Sequence, residues 1–475
     1  MSGLSPLLDR ESGIPVYLQL YAYIRQQIES GKLAFDDKLP SIRELSSYLH
    51  VSKNTVEIAY QQLVAEGYVH SKPRSGLRVL RVEPVMGEKS GVPVRGPSAT
   101  APKMTSGKNA AEIDFRYGDV ALEKFPLAVW KKCMSDALGG DLRQILGYGD
   151  LQGNPELRYE IARYLYASRG IYCSPEQIFL AGGTQQAIGL LCQLLPLAKR
   201  VAIEDPGYDG VRTVLVNHDR DIIPIPIEAD GLNVEAVQRS GAGAVYLTPS
   251  HQFPIGGILP VHKRARLLQW AADEDAMILE DDYDSEFRYQ GQPIPALKAM
   301  DSRDRVVYLG TFSKSFLPAM RLGYFVLPER LAGDFLTRLE PYSQSVSPLL
   351  QQAMLMFMKE GHFERHVRKM RKLYQGRHRA LLNAVHRHLG SRVGIIGHKA
   401  GLHLLLDIHG RDSSELIALA ARRGVNVYSP RSYWCEPESC PRSFVMLGFG
   451  GLSEGAIEEG ILRLRQSWFG HESAT

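Results

Sequence analysis

The chain has 475 residues, 44% apolar and 23% charged, with a formal net charge of +4. That length calls for two or more core-bearing units, and the composition excludes disordered and fibrous classes. No apolar run nears the roughly 20 residues that span a bilayer, and the start, MSGLSPLLDRESG, lacks the charged-then-apolar layout of a secretion signal. A cytoplasmic protein with no membrane partner is expected. The five cysteines (Cys133, Cys173, Cys192, Cys435, Cys440) form no CxxC pair, so they are read as reduced thiols and no metal site is expected.

The basic excess is concentrated near the N-terminus. Between Lys38 and Val82, Lys38, Arg43, Lys53, Lys72, Arg74, Arg78 and Arg81 face only Glu44, Glu57 and Glu66, a footprint that suits a polyanion. A solvated basic face would explain the charge equally well, so the arrangement of elements must decide. Tyr17, Leu20, Tyr21, Ile24 and Ile28 recur at helical spacing and Gly31 closes that helix. Ser41 and Glu44 have the spacing of a capping box that opens a second helix through Leu49. After the turn at His50-Val51, Ser52 caps a third helix that stops at Gly67. Tyr68-Val69-His70 and Leu77-Arg78-Val79-Leu80 then read as a hairpin with Lys72, Arg74 and Gly76 at its tip.

Helix-turn-helix followed by a basic hairpin is a winged helix, whose third helix has the shape to enter a major groove while basic side chains hold phosphate. A protein-interaction module would share that outline. The runs Lys38-Leu39-Pro40-Ser41-Ile42-Arg43-Glu44-Leu45, Val51-Ser52-Lys53-Asn54-Thr55-Val56, Leu63-Val64-Ala65-Glu66-Gly67-Tyr68 and Arg74-Ser75-Gly76 closely resemble the GntR-type DNA-binding domain of bacterial regulators. The resemblance implies that Arg43, the turn Ser52, Lys53, Asn54, Thr55, and the wing residues Arg74 and Gly76 touch double-stranded operator DNA.

Residues 83–110 contain four Pro, four Gly and three Ser, with no Leu, Ile or aromatic residue. Such a segment cannot bury enough apolar surface to offset chain entropy and reads as a flexible linker. The expected division is a head over 1–82, a linker over 83–110 and an effector body over 111–475. In the body, apolar runs at 177–180, 200–203, 243–247, 276–279 and 305–309 alternate with helix-length segments, which predicts an α/β fold with a mostly parallel sheet covered on both faces.

Ligands in that architecture sit at the carboxyl ends of strands, and three polar clusters fall there. Gly182-Gly183-Thr184-Gln185 opens a helix after a strand, so free amides and the positive helix end suit phosphate. Glu280-Asp281-Asp282-Tyr283-Asp284 follows another strand, and one such carboxylate can hold a ring nitrogen protonated. Gly310-Thr311-Phe312-Ser313-Lys314 ends a third, where a desolvated lysine can lose its proton and join an aldehyde. Each cluster alone has another reading: a connecting turn, a carboxylate group that could bind metal though no histidine neighbours it in sequence, a surface lysine. Together they specify a pyridoxal 5′-phosphate (PLP) pocket.

The same clusters resemble fold-type I aminotransferases along most of residues 112–468, through Tyr148-Gly149-Asp150, Glu204-Asp205-Pro206-Gly207-Tyr208, Thr248-Pro249-Ser250-His251-Gln252-Phe253-Pro254 and Arg321-Leu322-Gly323-Tyr324. A GntR-type head on such a body resembles the MocR subfamily of transcription regulators, among them regulators of GABA, taurine and vitamin B6 metabolism. The resemblance implies a fold-type I domain with a smaller C-terminal subdomain, a homodimer, and PLP bound to Lys314 as a Schiff base. Asp281 would pair with the pyridine nitrogen, Tyr283 with the phenolic oxygen, and Tyr208 would stack on the ring. Gly183, Thr184, Gln185, Thr311, Ser313 and Arg321 would surround the phosphate, and Tyr148 would reach the phosphate of the neighbouring subunit.

Two positions depart from the enzymes. Phe253 stands where aminotransferases usually carry an Asn that bonds the phenolic oxygen. Met446 stands where they place the Arg that forks onto a substrate carboxylate. Arg431 or Arg442 would have to substitute, or the effector lacks a carboxylate docked in that way, or PLP itself is the signal. The expected function is a PLP-dependent regulator that senses an amino compound, or PLP, and controls amino-acid or vitamin B6 genes. The alternative is a working aminotransferase whose head docks or oligomerises; the missing Arg speaks against efficient turnover and leaves a residual half-reaction open.

Overall fold

The structure, a computed structural model, describes residues 8–9, 13–72, 76–81, 112–289 and 295–470. The chain divides into two compact units, Met1–Ser106 and Gly107–Thr475. The linker expected over 83–110 and the wing residue Arg74 lie outside the described residues.

In the first unit, α1 (Val16–Glu29), α2 (Ile42–Leu49) and α3 (Lys53–Ala65) precede a two-stranded ribbon, β1 (Val69–Lys72) and β2 (Gly76–Val79). The ribbon is antiparallel, with Val69 opposite Val79. Both bonds of the Ser41–Glu44 capping box form: the Glu44 amide donates to Ser41 Oγ at 3.2 Å and the Ser41 amide to Glu44 Oε2 at 2.8 Å. His50 closes α2 in the left-handed conformation, φ 53°, and the Ser52 hydroxyl accepts the Thr55 amide at 3.1 Å to start α3. The two caps bracket a turn of three residues, so the angle between α2 and α3 is set locally. Leu20, Ile24, Leu45, Val56, Ala59, Leu63, Val69 and Val79 close the core of this unit.

The second unit begins with β3 (Ile113–Asp114) and is built on an eight-stranded sheet: β4 (Ile178–Ala181), β5 (Arg200–Asp205), β6 (Asp221–Glu228), β7 (Gly231–Leu232), β8 (Ala244–Leu247), β9 (Met277–Asp282), β10 (Val306–Thr311) and β11 (Gly323–Val326). Their spatial order is β4-β11-β10-β9-β8-β5-β6-β7. Side chains alternate between two covered faces. Phe179, Val201, Ile203, Tyr246, Leu279 and Leu309 pack on one side, and Ala202, Val245, Leu247 and Ile278 on the other. This is the mostly parallel, doubly covered sheet that the apolar runs predict. Three of its strands escape the pattern, the two-residue antiparallel β7 among them. In β6 Pro224 and Pro226 interrupt the run and fit because only the short β7 lies beyond it. β11 is antiparallel to both neighbours.

A smaller antiparallel sheet follows, made of β12 (Val393–Ile396), β13 (His403–Ile408) and β15 (Phe444–Gly448), while β14 (Val425–Asn426) pairs with β3. Leu404, Leu406, Val445 and Leu447 face the core closed by the helices His362–His388 and Glu454–Phe469, and Leu405 and Met446 face the opposite way. Among the described residues no helix is long and apolar enough to cross a membrane.

The capping geometry predicts that Ser41→Ala costs the N-terminal unit about 1 kcal/mol. Scanning calorimetry of the full chain should show that unit melting roughly 4–8 °C lower, with the transition of the larger unit unmoved.

Candidate functional site

β5, β8, β9 and β10 run parallel, and β4 points the same way because β11 is antiparallel to both β10 and β4. With β6, parallel to β5, six carboxyl ends therefore lie along one edge. The reversed β11 starts there too, with Gly323 opposite both Ala181 and Thr311. A cavity of about 220 Å³ opens at this edge.

One end of the cavity is an anion cradle. Gly183, φ +114°, turns β4 into the helix Thr184–Leu194, whose first amides point outward. Arg321, itself left-handed at φ 48°, donates from its guanidinium to the Gly182 carbonyl at 2.7 Å. A Cβ on Gly183 would stand 2.8 Å from that guanidinium, so glycine is required for Arg321 to cover the helix start. Thr311 and Ser313 add hydroxyls, linked to each other at 3.0 Å.

The middle is acidic and buried. Asp281 Oδ2 accepts the Tyr246 hydroxyl at 2.7 Å, whereas Oδ1 is buried with no hydrogen-bond partner. Burial pushes its pKa up to about 7 and the neighbouring carboxylates Asp282, Asp284 and Glu280 push in the same direction against the Tyr246 bond. A carboxylate so placed is short of a cation. Beside it the Tyr283 hydroxyl lies 2.9 Å from His251 Nδ1, which is also 2.9 Å from Asp284 Oδ2. Asp284, His251 and His403 bring ligand-type atoms within 4.8 Å of one another. His403 Nε2 is committed to the Pro254 carbonyl at 3.1 Å, and burial holds His403 well below the usual histidine range.

At the far side Lys314 Nζ rests 4.3 Å from the centroid of the Tyr117 ring. Burial pulls its pKa down to about 8, against the opposing pull of Asp284 and Asp119. A readily deprotonated amine, a buried carboxylate with an unsatisfied oxygen and an anion cradle around a cavity of this size fit PLP by shape and charge alike.

The sequence-derived residues Gly183, Thr184, Gln185, Tyr208, Asp281, Tyr283, Thr311, Ser313, Lys314 and Arg321 all line this one cavity. Tyr148 does not; it is 86% exposed. Arg431 and Arg442 stay outside as well: Arg431 is ion-paired with Glu438 at 2.5 Å and Arg442 is exposed. Met446 is buried behind Phe253, opposite Leu405. The sequence reading missed Tyr117, Tyr246, Thr248 and Pro318 in the lining. Tyr246 hid inside a strand read as apolar, although its hydroxyl was a signal that one position needed a partner. In the N-terminal unit Arg43, Lys53, Asn54 and Gly76 are exposed, Ser52 is exposed while capping α3, and Thr55 is half-buried. A larger cavity of about 310 Å³, among Tyr164, Arg169, Glu286, Arg288 and Arg371, contains no lysine.

The chain matches the family described as "Aminotransferase class I and II" over residues 111–461 and "Bacterial regulatory proteins, gntR family" over residues 16–79. It is 40% identical to the uncharacterized HTH-type transcriptional regulator YdeL of Bacillus subtilis (strain 168), across 98% of this chain and 99% of that protein. It is 34% identical to the probable rhizopine catabolism regulatory protein MocR of Rhizobium meliloti (98% and 97%) and 30% identical to the HTH-type pyridoxine biosynthesis transcriptional regulator PdxR of Corynebacterium glutamicum (92% and 93%). Kynurenine aminotransferase of Pyrococcus horikoshii superimposes with a TM-score of 0.69 at 25% identity, covering 76% of this chain and 91% of that one. The class is thus a GntR-type helix-turn-helix head joined to a fold-type I aminotransferase body. Within it, the chain belongs to the MocR subfamily of GntR transcriptional regulators.

The lowered pKa of Lys314 has a measurable consequence in the protein freed of ligand. About one-tenth of these amines are neutral at pH 7, against roughly one in 3,000 for an ordinary lysine. Reductive methylation mapped by mass spectrometry should therefore show Lys314 reactivity climbing with pH and levelling off above about 8, well before exposed lysines do.

Proposed function

We propose that this regulator holds PLP at Lys314 and responds there to an amino compound, or to PLP itself, by changing how its heads engage operator DNA. The observation that carries the proposal is the meeting of Lys314, the Asp281 carboxylate and the Gly183–Arg321 cradle in one cavity. When bound, PLP supplies an electrophilic aldehyde that amines attack. In this reading Lys314 is the resident amine, Asp281 balances the ring nitrogen, Tyr283 faces the phenolic oxygen and Tyr208 lies against the ring. Thr184, Gln185, Thr311, Ser313 and Arg321 hold the phosphate. Tyr148, exposed on a single chain, serves the cavity of a second copy in a homodimer.

In the head, Arg43, Ser52, Lys53, Asn54 and Thr55 take the groove and flanking phosphates, with Arg74 and Gly76 at the wing. Two heads on a dimer read paired half-sites. A ligand shifts their arrangement only by its differential affinity for the two states, commonly ~1–3 kcal/mol. Relatives named for rhizopine catabolism and pyridoxine biosynthesis support targets among amino-compound or vitamin B6 genes. A working aminotransferase with a docking head is the rival reading, favoured by the likeness to enzymes of that class.

Two variants separate these roles. Lys53→Ala should weaken binding to the operator by roughly tenfold or more, on the scale of one lost contact of ~1–3 kcal/mol, in fluorescence anisotropy at fixed salt, and leave a pyridoxyl adduct at Lys314 after borohydride reduction. Lys314→Ala should abolish the adduct while DNA binding persists. Rapid, repeated release of 2-oxo acids from an amino-acid panel would establish the enzyme instead.

A further inference from the structure

Charge around the cavity limits what amino compound it can receive. Two cations line it among the described residues, Lys314 and Arg321. On the reading above, Lys314 meets the aldehyde and Arg321 the phosphate, so no positive charge remains for a ligand carboxylate. Arg431 is committed to Glu438 and the Pro437 carbonyl, and Arg116 and Arg442 are exposed and outside the lining.

Beside Lys314 the lining is aromatic, at Tyr117 and Phe253. Phe253 packs on Tyr117 at 4.9 Å and on Tyr433 at 4.6 Å between ring centroids, with Leu405 and Met446 behind it. The charged groups that act on Lys314 are Asp284 and Asp119, carboxylates outside the lining, of which Asp119 also feels Arg116. The Tyr117 face already holds one ammonium, that of Lys314, as a quadrupole favours. A carboxylate placed here would meet π-faces and the buried Asp281 carboxylate with no lining cation left to balance it, whereas an ammonium meets attraction.

We infer that the effector is a primary amine with an apolar or aromatic body and no carboxylate, admitted by the aromatic Tyr117–Phe253 lining and favoured by the Asp119 and Asp284 charges that act at Lys314. This rests on the reading of the cavity given above and names its ligand class. 2-Phenylethylamine and L-phenylalanine differ only by a carboxylate and serve as probes. Calorimetry on the PLP-loaded full-length protein should give at least tenfold tighter binding for the amine. Asp119→Asn, at an exposed position, should weaken the amine several-fold, spare or improve phenylalanine, and melt at an unchanged temperature. Equal or tighter binding of phenylalanine, or no binding of either probe at millimolar concentration, overturns the inference. Borohydride mapping of the PLP-loaded protein before either probe is added keeps the two levels apart: an adduct at Lys314 with the wrong ligand preference sinks the ligand class alone, and a missing adduct sinks the reading beneath it.

Discussion

Asp281 is a carboxylate enclosed by the sheet with one hydroxyl donor and three acidic neighbours. Left alone, such a group takes up a proton or costs stability. The rest of the large unit can be understood as the frame that makes this arrangement tolerable and useful. Tyr246 from the adjacent strand supplies the single donor, and the fixed spacing of parallel strands keeps Lys314, at the end of β10, across the opening from it. Desolvation works on the two groups in opposite senses, raising the acid and lowering the base, so the same burial brings both pKa values near neutrality. Poised groups of this sort mark sites where protons and carbonyl chemistry are managed.

The smaller sheet completes the frame through the period of two along a strand. Leu404, Leu406, Val445 and Leu447 close its own core, so Leu405 and Met446 are obliged to face the other way, where they back the aromatic wall of the cavity. A polar side chain at 446 would need a partner in that apolar layer. The identity of one residue is thus tied both to the stability of a sheet and to the chemistry a ligand can bring.

Much of this was legible in the sequence because the informative signals are local. Caps at Ser41 and Ser52, apolar runs of strand length, and glycine-rich or lysine-bearing strand ends depend on neighbours a few residues away; both caps form, and the strand-end residues line one cavity. What stayed hidden depends on pairing at a distance. β6 is broken by prolines that only an edge neighbour excuses, and the reversal of β11 has no signature in its own four residues. Tyr117 enters the site from a segment more than 30 residues from the nearest cluster, and His251 reaches Asp284 of the acidic cluster from 33 residues away. The residues expected to take an effector carboxylate, Arg431 and Arg442, lie near Met446 in sequence, but a local ion pair and solvent hold them elsewhere.

The reversed β11 has one more effect. Because it returns along β10, the chain between Lys314 and Arg321 is a short bend whose two ends both face the cavity. The Lys314 amine and the Arg321 guanidinium therefore sit on one short segment, braced where Gly323 meets Thr311. On the proposed reading, the group that meets the aldehyde and the group that meets the phosphate thus share one short bend that lies outside the sheet.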